Sequence, residues 1–372
     1  MKKAILCFPA IDSKLIQYPT GLYKIATYCN SYYEIIIIDQ RIFSNPIIEI
    51  NNLIENEGVD NILCLGLSVM TGQQIQSALE ISKVFHDKLK IVWGGIHPTI
   101  LPKQTISNKY IDYVIIGEGE RAFLNLLNYL CGKENDYHLF LSKVNRNLTY
   151  NYLSDLTSHK YIDFSKYKID DSYFIKRDGF KKAFTIETSR GCPHNCYYCH
   201  NSIFKKPYRF IKSSKIIEII DVLYNCYKID GIIFQEDNFF VNIKRVQNII
   251  DYFIKNKSVG WKTNCRIDYF NKFIDDIHFM NNLVKSGCNV LQFGIESGSQ
   301  RILNLINKKI KIEDVIKINK KLSMYPINIR YNFIIGFPTE TKSEMQATLD
   351  LINRLLLDNR NVEPPFLNIY NP

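Results

Sequence analysis

The chain has 372 residues, of which 46% are hydrophobic and 23% are charged, and its formal net charge is +10. This length favours two domains, and the composition excludes a disordered chain because it supplies ample apolar side chains for large buried cores. The lysines are scattered among abundant Ile, Asn and Tyr, and no basic tract alternates with aromatic residues, which argues against a nucleic-acid partner.

The sequence gives no sign of membrane insertion or secretion. No run approaches the ~20 apolar residues that are needed to cross a bilayer. The stretch Ala4–Ala10 follows two lysines like a signal peptide, but it is short, contains Pro9 and runs into Asp12-Ser-Lys14, so we interpret it as a first strand. Seven cysteines lie dispersed in apolar stretches and predict buried thiols in a reducing, cytoplasmic compartment: Cys7, Cys29, Cys64, Cys131, Cys226, Cys265 and Cys288.

The first 130 residues alternate short apolar strands with helices. Strands are predicted at Lys3–Pro9, Glu34–Asp39, Asn61–Ser68, Lys90–Gly94 and Tyr113–Ile116. Helices are predicted at Gly21–Tyr28, Ile47–Glu55 and Gln73–Phe85, after Pro102, and at Arg121–Leu130. Strands separated by single helices imply a parallel sheet with helices on both faces, which binds ligands at the carboxyl ends of its strands.

Residues 132–183 are polar and rich in tyrosine, and we interpret them as a connector with a hairpin around Val144–Tyr152. From residue 184 the alternation resumes, with helices such as Ser214–Tyr227 and Ser343–Leu357 between the strands. These strands are predicted at Phe184–Ser189, Gly231–Gln235, Gly260–Ile267, Val290–Glu296, Ile327–Ile334 and Pro365–Asn371. A parallel barrel has its active site at the carboxyl ends of its strands.

Three cysteines with C-x3-C-x2-C spacing follow the first of these strands: Cys192, Cys196 and Cys199. Cysteine thiolates are the usual ligands of iron–sulfur clusters, and a cubane cluster has four irons. Three ligands would leave one iron open, which favours catalysis over electron storage. The alternative is a structural zinc site with His194 or His200 as fourth ligand, but zinc sites usually add a second, distant ligand pair, which this sequence lacks.

This spacing, with the aromatic Tyr198 before the third cysteine, closely resembles the signature of the radical S-adenosylmethionine (SAM) enzymes. The resemblance implies that residues 184–372 form a partial (β/α)6 barrel and that the amino and carboxylate groups of SAM chelate the open iron of a [4Fe–4S] cluster. Electron transfer would then cleave SAM to methionine and a 5′-deoxyadenosyl radical. An external flavodoxin- or ferredoxin-like protein would donate the electron.

Further loops match positions that contact SAM in this family. An acidic pair would face the SAM ammonium, a Glu-Ser pair the ribose diol, and a glycine loop the adenine, which the backbone of the aromatic residue would also contact. Two cations are candidate partners for the SAM carboxylate. The acidic pair is Glu236 and Asp237, and the Glu-Ser pair is Glu296 and Ser297. The adenine contacts are Gly336 and the backbone of Tyr198, and the two cations are Arg266 and Lys308. The structural alternative for the acidic pair and for the Glu-Ser pair is helix capping, by Asp237 or Asn238 and by Ser297 or Ser299 respectively.

Upstream, glycine-containing loops follow three strands of the first domain, where glycine permits positive φ and close approach to a ligand. Together with the cysteine motif they resemble the cobalamin-binding Rossmann-like domain of many radical SAM enzymes, which implies this fold for residues 1–131. The Asp-x-His-x-x-Gly motif is absent, so cobalt should lack that histidine, and His97 is interpreted as a turn or nucleotide-tail contact. The candidate residues are Ser68, Met70, Thr71, Gly94, Gly95, His97, Gly117 and Glu118.

The combined resemblance implies a cobalamin-dependent radical SAM enzyme, and the reaction that we expect is methylation of an unactivated carbon or phosphorus. Methylcobalamin would deliver the methyl group, and a second SAM would remethylate cobalamin. A cyclase or rearranging enzyme and a cofactor-binding protein without turnover stay open. A methylthiotransferase is disfavoured because Cys7, Cys29 and Cys64 lie too far apart in sequence to suggest a second cysteine trio. The sequence does not identify the substrate, for which we expect a small molecule or a peptide.

The resemblance stops short of the usual C-terminal elements. Relatives continue beyond the position of Pro372 with a Gly-Thr turn, a last helix and an extension. We therefore expect either a fragment or a barrel that closes differently. Missing elements would expose the edge of the sixth strand.

Overall fold

The computed structural model describes residues 1–10, 16–43, 45–146, 148–157, 161–165, 167–201, 207–256 and 259–370. The chain divides into two compact units, Met1–Asp163 and Phe164–Pro372. This boundary falls inside the segment 132–183 that the sequence analysis interprets as a connector. Within the described ranges, no helix combines the length and the apolar character that a membrane span requires.

The first unit is built on a six-stranded sheet with the order β2-β1-β3-β4-β5-β6. Its strands are β1 (Lys3–Phe8), β2 (Glu34–Asp39), β3 (Ile62–Ser68), β4 (Lys90–Gly94), β5 (Tyr113–Val114) and β6 (Leu141–Ser142). The helices are α1 (Thr20–Cys29), α2 (Pro46–Glu57), α3 (Gln74–Phe85), α4 (Ile96–Ile100), α5 (Pro102–Ser107) and α6 (Gly119–Leu130). Strands β1 to β5 pair in parallel, which confirms the predicted sheet, and β6 is antiparallel to β5.

Apolar side chains cover both faces of this sheet. One core includes Ile50 of α2 and Phe85 of α3, and the other includes Leu22 of α1 and Phe123 of α6. The central strands are apolar almost throughout because both of their faces are buried. The strand order reverses between β1 and β3, and sheets of this kind bind ligands at the carboxyl ends of the strands beside such a reversal.

The hairpin predicted around Val144–Tyr152 is wrong for the described part of that segment, which excludes residue 147. The antiparallel pairing is made instead by β6 with β5, and Asn151 forms a bridge with Gly117. The Asn151 amide group donates to the carbonyls of Ile116 and Leu139, so this buried side chain ties the segment to the sheet. Polar composition suggested a turn but did not reveal this pairing.

The second unit contains a curled half-barrel of six parallel strands with the order β14-β13-β12-β11-β10-β7, which confirms the predicted partial barrel. The strands are β7 (Ala183–Ile186), β10 (Gly231–Phe234), β11 (Gly260–Cys265), β12 (Cys288–Glu296), β13 (Asn328–Ile335) and β14 (Phe366–Ile369). A separate antiparallel pair joins β8 (Ser189–Arg190) to β9 (Arg209–Phe210). All four residues of β14 are exposed.

Helices connect the parallel strands of the half-barrel. They are α7 (Ser213–Tyr227), α8 (Ile243–Lys255), α9 (Phe270–Phe273), α10 (Ile277–Lys285), α11 (Gln300–Leu305), α12 (Ile312–Leu322) and α13 (Lys342–Asp358). Because every paired strand runs in the same direction, the loops that follow the strands lie at one end of the sheet.

A buried ion-pair network occupies the opposite, amino-terminal part of the half-barrel. The Asp178 carboxylate lies 2.5 Å from Lys262 Nζ and 2.8 Å from Arg330 Nη2, and the Asn289 amide donates to the Asp178 carbonyl. Burial by itself raises the pKa of Asp178, but hydrogen bonds from Arg330 and Lys262 outweigh it and hold that pKa below its ordinary value. The network joins β11, β12 and β13 through one turn that precedes β7.

Candidate functional site

The cysteine loop lies at the carboxyl end of the half-barrel sheet. Cys196 is buried, and Cys192 and Cys199 are partly exposed. The Cys199 amide donates to the Cys196 carbonyl at 3.0 Å, and the Tyr197 amide donates to the Ile306 carbonyl at 3.0 Å, which anchors the loop. Burial raises the pKa of Cys192 to about 11 and also raises that of Cys199, so metal binding must displace their protons.

The donor set of this loop fits a polynuclear cluster. Within the described ranges, no three His, Cys, Asp or Glu side chains are grouped so that they could hold one metal ion. Cysteine ligands of a cubane each bind a different iron, so their sulfurs need not meet at one point. A guanidinium approaches the thiols: Arg266 Nη1 lies 3.4 Å from Cys196 Sγ.

Three predicted SAM-site residues meet in one hydrogen-bonded group, the Glu296 cluster, which consists of Tyr198, Glu296 and Lys308. Glu296 Oε1 accepts hydrogen bonds from Tyr198 Oη at 2.8 Å and from Lys308 Nζ at 2.7 Å. Lys308 Nζ also donates to Tyr198 Oη at 3.0 Å. Burial first, and then the Glu296 charge, raise the pKa of Tyr198, so its phenol stays protonated and can donate.

The backbone at the end of β12 is adapted to this cluster. Glu296 has a φ of +77°, a conformation that costs a side-chain-bearing residue about 1 kcal/mol or more. A Cβ at Gly294 would lie 2.4 Å from Glu296 Oε1 and 3.1 Å from Lys308 Nζ. The glycine therefore leaves the space that the Glu296 carboxylate occupies.

Arg266 connects the cysteine loop to the segment of Lys308. Its Nε and Nη2 donate to the two Asp268 carboxylate oxygens at 2.9 and 3.3 Å, and Nη2 also donates to the Lys308 carbonyl at 2.5 Å. Burial by itself lowers the pKa of Arg266, but Asp268 and the nearby cysteines outweigh it and raise that pKa. Arg266 therefore remains a cation beside Cys196.

The predicted acidic pair is divided between two environments. Glu236 is buried, and its carboxylate accepts hydrogen bonds from Thr188, from Ser189 Oγ at 2.5 Å and from Arg245 Nη2 at 2.5 Å. Asp237 is exposed, and its charge raises the pKa values of Cys192 and Cys199. Asp237 is thus the accessible carboxylate beside the cysteine loop. The SAM contacts of both residues stay predictions.

Ser297 does not join the Glu296 cluster. Its buried hydroxyl lies 3.4 Å from Thr348 Oγ1 of α13 and accepts from the Ser299 amide at 3.1 Å. Ser299 is the cap of α11, because its hydroxyl accepts from the Ile302 amide. The structural alternative from the sequence analysis therefore describes Ser299, while a ribose contact of Ser297 stays a prediction.

The loop that contains Gly336 contacts Tyr198 through the ring of Phe337. Gly336 has a φ of +84°, and its amide donates to Glu340 Oε2 at 2.5 Å. The Phe337 ring centroid lies 5.9 Å from that of Tyr198 in an edge-to-face arrangement. Two neighbours of the predicted site residues were not predicted from the sequence: Phe337, which packs against Tyr198, and Asp268, which binds Arg266. An Arg-x-Asp spacing and the aromatic residue after Gly336 were the available signals.

In the first unit, the loops after β3 and β4 form a tight backbone cradle. The Val69 amide donates to the Gly94 carbonyl at 2.8 Å, and the His97 amide donates to the Val69 carbonyl at 3.0 Å. Gly95 has a φ of +101°, and a Cβ there would lie 2.8 Å from the Val69 carbonyl oxygen. Glycine is therefore required where the two loops meet, because its Cα lies close to the Val69 backbone. The predicted close approach to a ligand stays a prediction.

The predicted side chains of these loops lie around that cradle. His97 is buried, which lowers its pKa, so the imidazole is neutral at pH 7, and its Nδ1 lies 3.5 Å from Thr71 Oγ1. The Met70 amide donates to Gln74 Oε1 at 2.7 Å, and Ser68 is half-buried. Contacts of His97 and of the other side chains of these loops to a cobalamin nucleotide tail stay predictions.

Gly117 and Glu118 contact a different part of the chain. A Cβ at Gly117 would lie 2.3 Å from the Asn151 carbonyl oxygen, and the Glu118 amide donates to that carbonyl at 2.9 Å. The Glu118 carboxylate accepts from the Leu153 amide at 2.8 Å. The close approach that glycine permits here is to the residue 151–153 segment. Cobalamin contacts of these two residues stay predictions.

Comparison with protein families gives a description for each half of the chain. Residues 186–352 match the radical SAM superfamily, and residues 9–127 match the B12 binding domain. The chain therefore contains a radical SAM domain and a B12-binding domain. These domains imply SAM, a [4Fe–4S] cluster and cobalamin as cofactors, and the cysteine loop lies within the segment that matches the radical SAM superfamily.

Two curated relatives illustrate the range of the family. An uncharacterized methyltransferase, PH0819 of Pyrococcus horikoshii, is 29% identical over 96% of this chain and 79% of its own length. An anaerobic magnesium-protoporphyrin IX monomethyl ester cyclase of Rubrivivax gelatinosus is 23% identical over 73% of this chain and 50% of its own length.

Solved structures share the fold over most of this chain. The cobalamin-dependent SAM radical enzyme OxsB, with aqua-cobalamin bound, has a TM-score of 0.77 and 18% identity. The alignment covers 95% of this chain and 52% of that chain, so this chain spans about half the length of OxsB. The radical SAM methyltransferase TsrM from Kitasatospora setae, with cobalamin and a [4Fe-4S] cluster bound, has a TM-score of 0.74 and 14% identity. That alignment covers 99% of this chain and 75% of the TsrM chain.

We predict that Gly294→Ala weakens SAM binding to the anaerobically reconstituted protein by about tenfold or more, because the added methyl group displaces the Glu296 carboxylate. Equilibrium dialysis measures the affinity. Gly21→Ala is the control, since a Cβ there meets nothing within 4 Å. Equal SAM affinity in both variants, at equal iron content, would contradict the role of the Glu296 cluster.

We predict that Gly95→Ala lowers cobalamin affinity by about tenfold or more, because an L-residue with positive φ is strained and its Cβ collides with the Val69 backbone. The absorbance of cobalamin retained after gel filtration reports binding without any turnover. The Gly21→Ala control should retain as much cobalamin as the wild type. Undiminished retention by Gly95→Ala would remove the cradle from the binding site.

Proposed function

We propose that this protein is a cobalamin-dependent radical SAM methyltransferase that acts on an unactivated carbon or phosphorus of a small molecule or peptide. The observation that carries the proposal is the presence, in one chain, of a three-cysteine loop beside the Glu296 cluster and of a B12-binding domain with its glycine cradle. The methyltransferase descriptions of PH0819 and TsrM support the choice of reaction.

The proposal gives each group of residues a defined task. Cys192, Cys196 and Cys199 would hold the cluster. When bound, the cluster and SAM supply a hydrogen-abstracting radical, and cobalamin supplies the methyl group. Asp237 would bind the SAM ammonium through its exposed carboxylate. The Glu296 cluster would orient the ribose, since Lys308 neutralises the carboxylate and the Tyr198 hydroxyl holds it in place.

The inner face of the half-barrel suggests how a substrate is recognised. Trp261 packs outward against Phe253 of α8, so strand alternation directs the exposed Asn264 inward. On the neighbouring strands the Gln292 amide donates to Asn332 Oδ1 at 3.2 Å. These side chains are uncharged amides. We therefore infer that neutral hydrogen-bonding groups of the substrate contact this face.

A second candidate function is a radical cyclase without methyl transfer, which the Rubrivivax gelatinosus relative favours. Such an enzyme would share the cysteine loop and the SAM-binding groups. It would release 5′-deoxyadenosine without S-adenosylhomocysteine. The products therefore separate the two functions.

The proposal includes a reducing, cytoplasmic environment and an external electron donor. This part of the proposal rests on the seven dispersed cysteines of the sequence. Five of them are buried as predicted, but Cys131 is partly exposed, and the prediction of a buried thiol is wrong for Cys226, which is exposed. A flavodoxin- or ferredoxin-like protein would supply the electron for SAM cleavage. Nucleic acid is not among the proposed partners, because the positive charge of the sequence is scattered.

The wild-type protein, reconstituted without oxygen and given SAM, cobalamin, reductant and candidate substrates, should form 5′-deoxyadenosine and S-adenosylhomocysteine. We predict that Cys192→Ser loses most of its iron and forms no 5′-deoxyadenosine above background, because one cluster ligand is missing. Cys226→Ser removes an exposed thiol outside the loop and should match the wild type.

Iron analysis and chromatography with mass spectrometry measure these outcomes. Deoxyadenosine formation by Cys192→Ser at the wild-type rate would refute the assignment of the cluster. Deoxyadenosine without S-adenosylhomocysteine, in the presence of a converted substrate, would replace the methyltransferase with the cyclase.

A further inference from the structure

We propose that Arg266 is a positioning residue of the iron–sulfur cluster, which raises the reduction potential of the cluster by donating a hydrogen bond to the Cys196 sulfur. This inference rests on the proposed function, because it requires the cluster on the cysteine loop. It gives Arg266 a different role from the SAM-carboxylate contact that the sequence resemblance implies.

The Arg266 guanidinium is held in a fixed position. Arg266 directly follows β11, the third strand of the half-barrel, and is 5% exposed. Asp268 holds Nε and Nη2 from one side, and the Lys308 carbonyl holds Nη2 from another. This planar group can therefore point Nη1 at Cys196 Sγ, at 3.4 Å, with little loss of side-chain freedom on cluster binding.

Most of the N–H donors of the Arg266 guanidinium already have acceptors. A guanidinium has five N–H groups, one on Nε and two on each terminal nitrogen. Asp268 and Lys308 take the Nε hydrogen and both Nη2 hydrogens, and Cys196 takes one from Nη1. Only one N–H is left, so Arg266 cannot offer a second parallel pair of donors to a SAM carboxylate.

The positive charge of Arg266 favours reduction of a nearby cluster. Reduction adds a negative charge to a cluster, and a buried cation close to a ligand sulfur stabilises the reduced state more than the oxidised state. Hydrogen bonds to sulfur and solvent exposure are among the factors that set cluster potentials. Burial of Arg266 keeps water from screening its charge.

The test is a redox titration of the anaerobically reconstituted protein, followed by the electron paramagnetic resonance (EPR) signal of the reduced cluster. For Arg266→Gln we expect the reduction equilibrium to change by about tenfold or more, which is a midpoint more negative by about 59 mV for one electron. Arg266→Lys keeps the charge but cannot make the Asp268 fork and the sulfur contact together, so its midpoint should lie between the two. SAM affinity is measured in parallel.

Arg330→Gln is the matched control, because it removes a buried, ion-paired arginine from the Asp178 network in the amino-terminal part of the sheet. Its midpoint should equal that of the wild type. An unchanged midpoint in Arg266→Gln, with weaker SAM binding, would overturn the proposal in favour of a carboxylate contact. If Arg266→Gln holds no cluster, a wild-type midpoint in Arg266→Lys would overturn it. A wild type that assembles no cluster would instead refute the proposed function itself.

Discussion

The buried ion pair between Glu296 and Lys308 organises the candidate site. It joins the end of β12 to the segment after α11, and the Tyr198 hydroxyl brings the cysteine loop to the same carboxylate. A buried pair of this kind contributes little net stability, because desolvation offsets most of the attraction. The pair instead favours one arrangement of the site, because the loss of either partner would leave an uncompensated charge in the interior. The glycine at position 294 and the positive φ of Glu296 are both consistent with a backbone shaped around this pair.

The two units obey the same rule of parallel sheets. In each unit the loops with glycine, cysteine or carboxylate follow the carboxyl ends of the strands, while the strands supply the apolar core. In the half-barrel the opposite end is occupied by the Asp178 network. The chemistry and the structural charges are thereby separated along the strands. Arg266 belongs to the first group, because its guanidinium contacts a cysteine of the loop.

Most of the fold could be predicted from the sequence, and the limits of the prediction have physical causes. Every predicted strand was found with both ends within three residues of the observed ends, because most of these apolar, β-branched runs are buried on both faces. The Val144–Tyr152 hairpin failed, since polar composition does not specify a pairing partner. Among the site residues, the cysteine trio was decided by spacing alone. Glu236 and Ser297 were harder, because a carboxylate or hydroxyl after a strand can equally bind Arg245 or Thr348. The sequence named Lys308 as a candidate cation, but a lysine is commonly solvated, and only the fold shows that this one is buried.

The central claim is that the three cysteines leave one iron of a cubane open for SAM. The most direct test is the EPR spectrum of the reduced, reconstituted wild-type protein, recorded without and with SAM. The account predicts four irons per chain and a signal whose g-values change when SAM is added, because SAM becomes a ligand of the open iron. Anoxically purified protein that contains zinc, or a cluster spectrum that is identical with and without saturating SAM, would contradict the account.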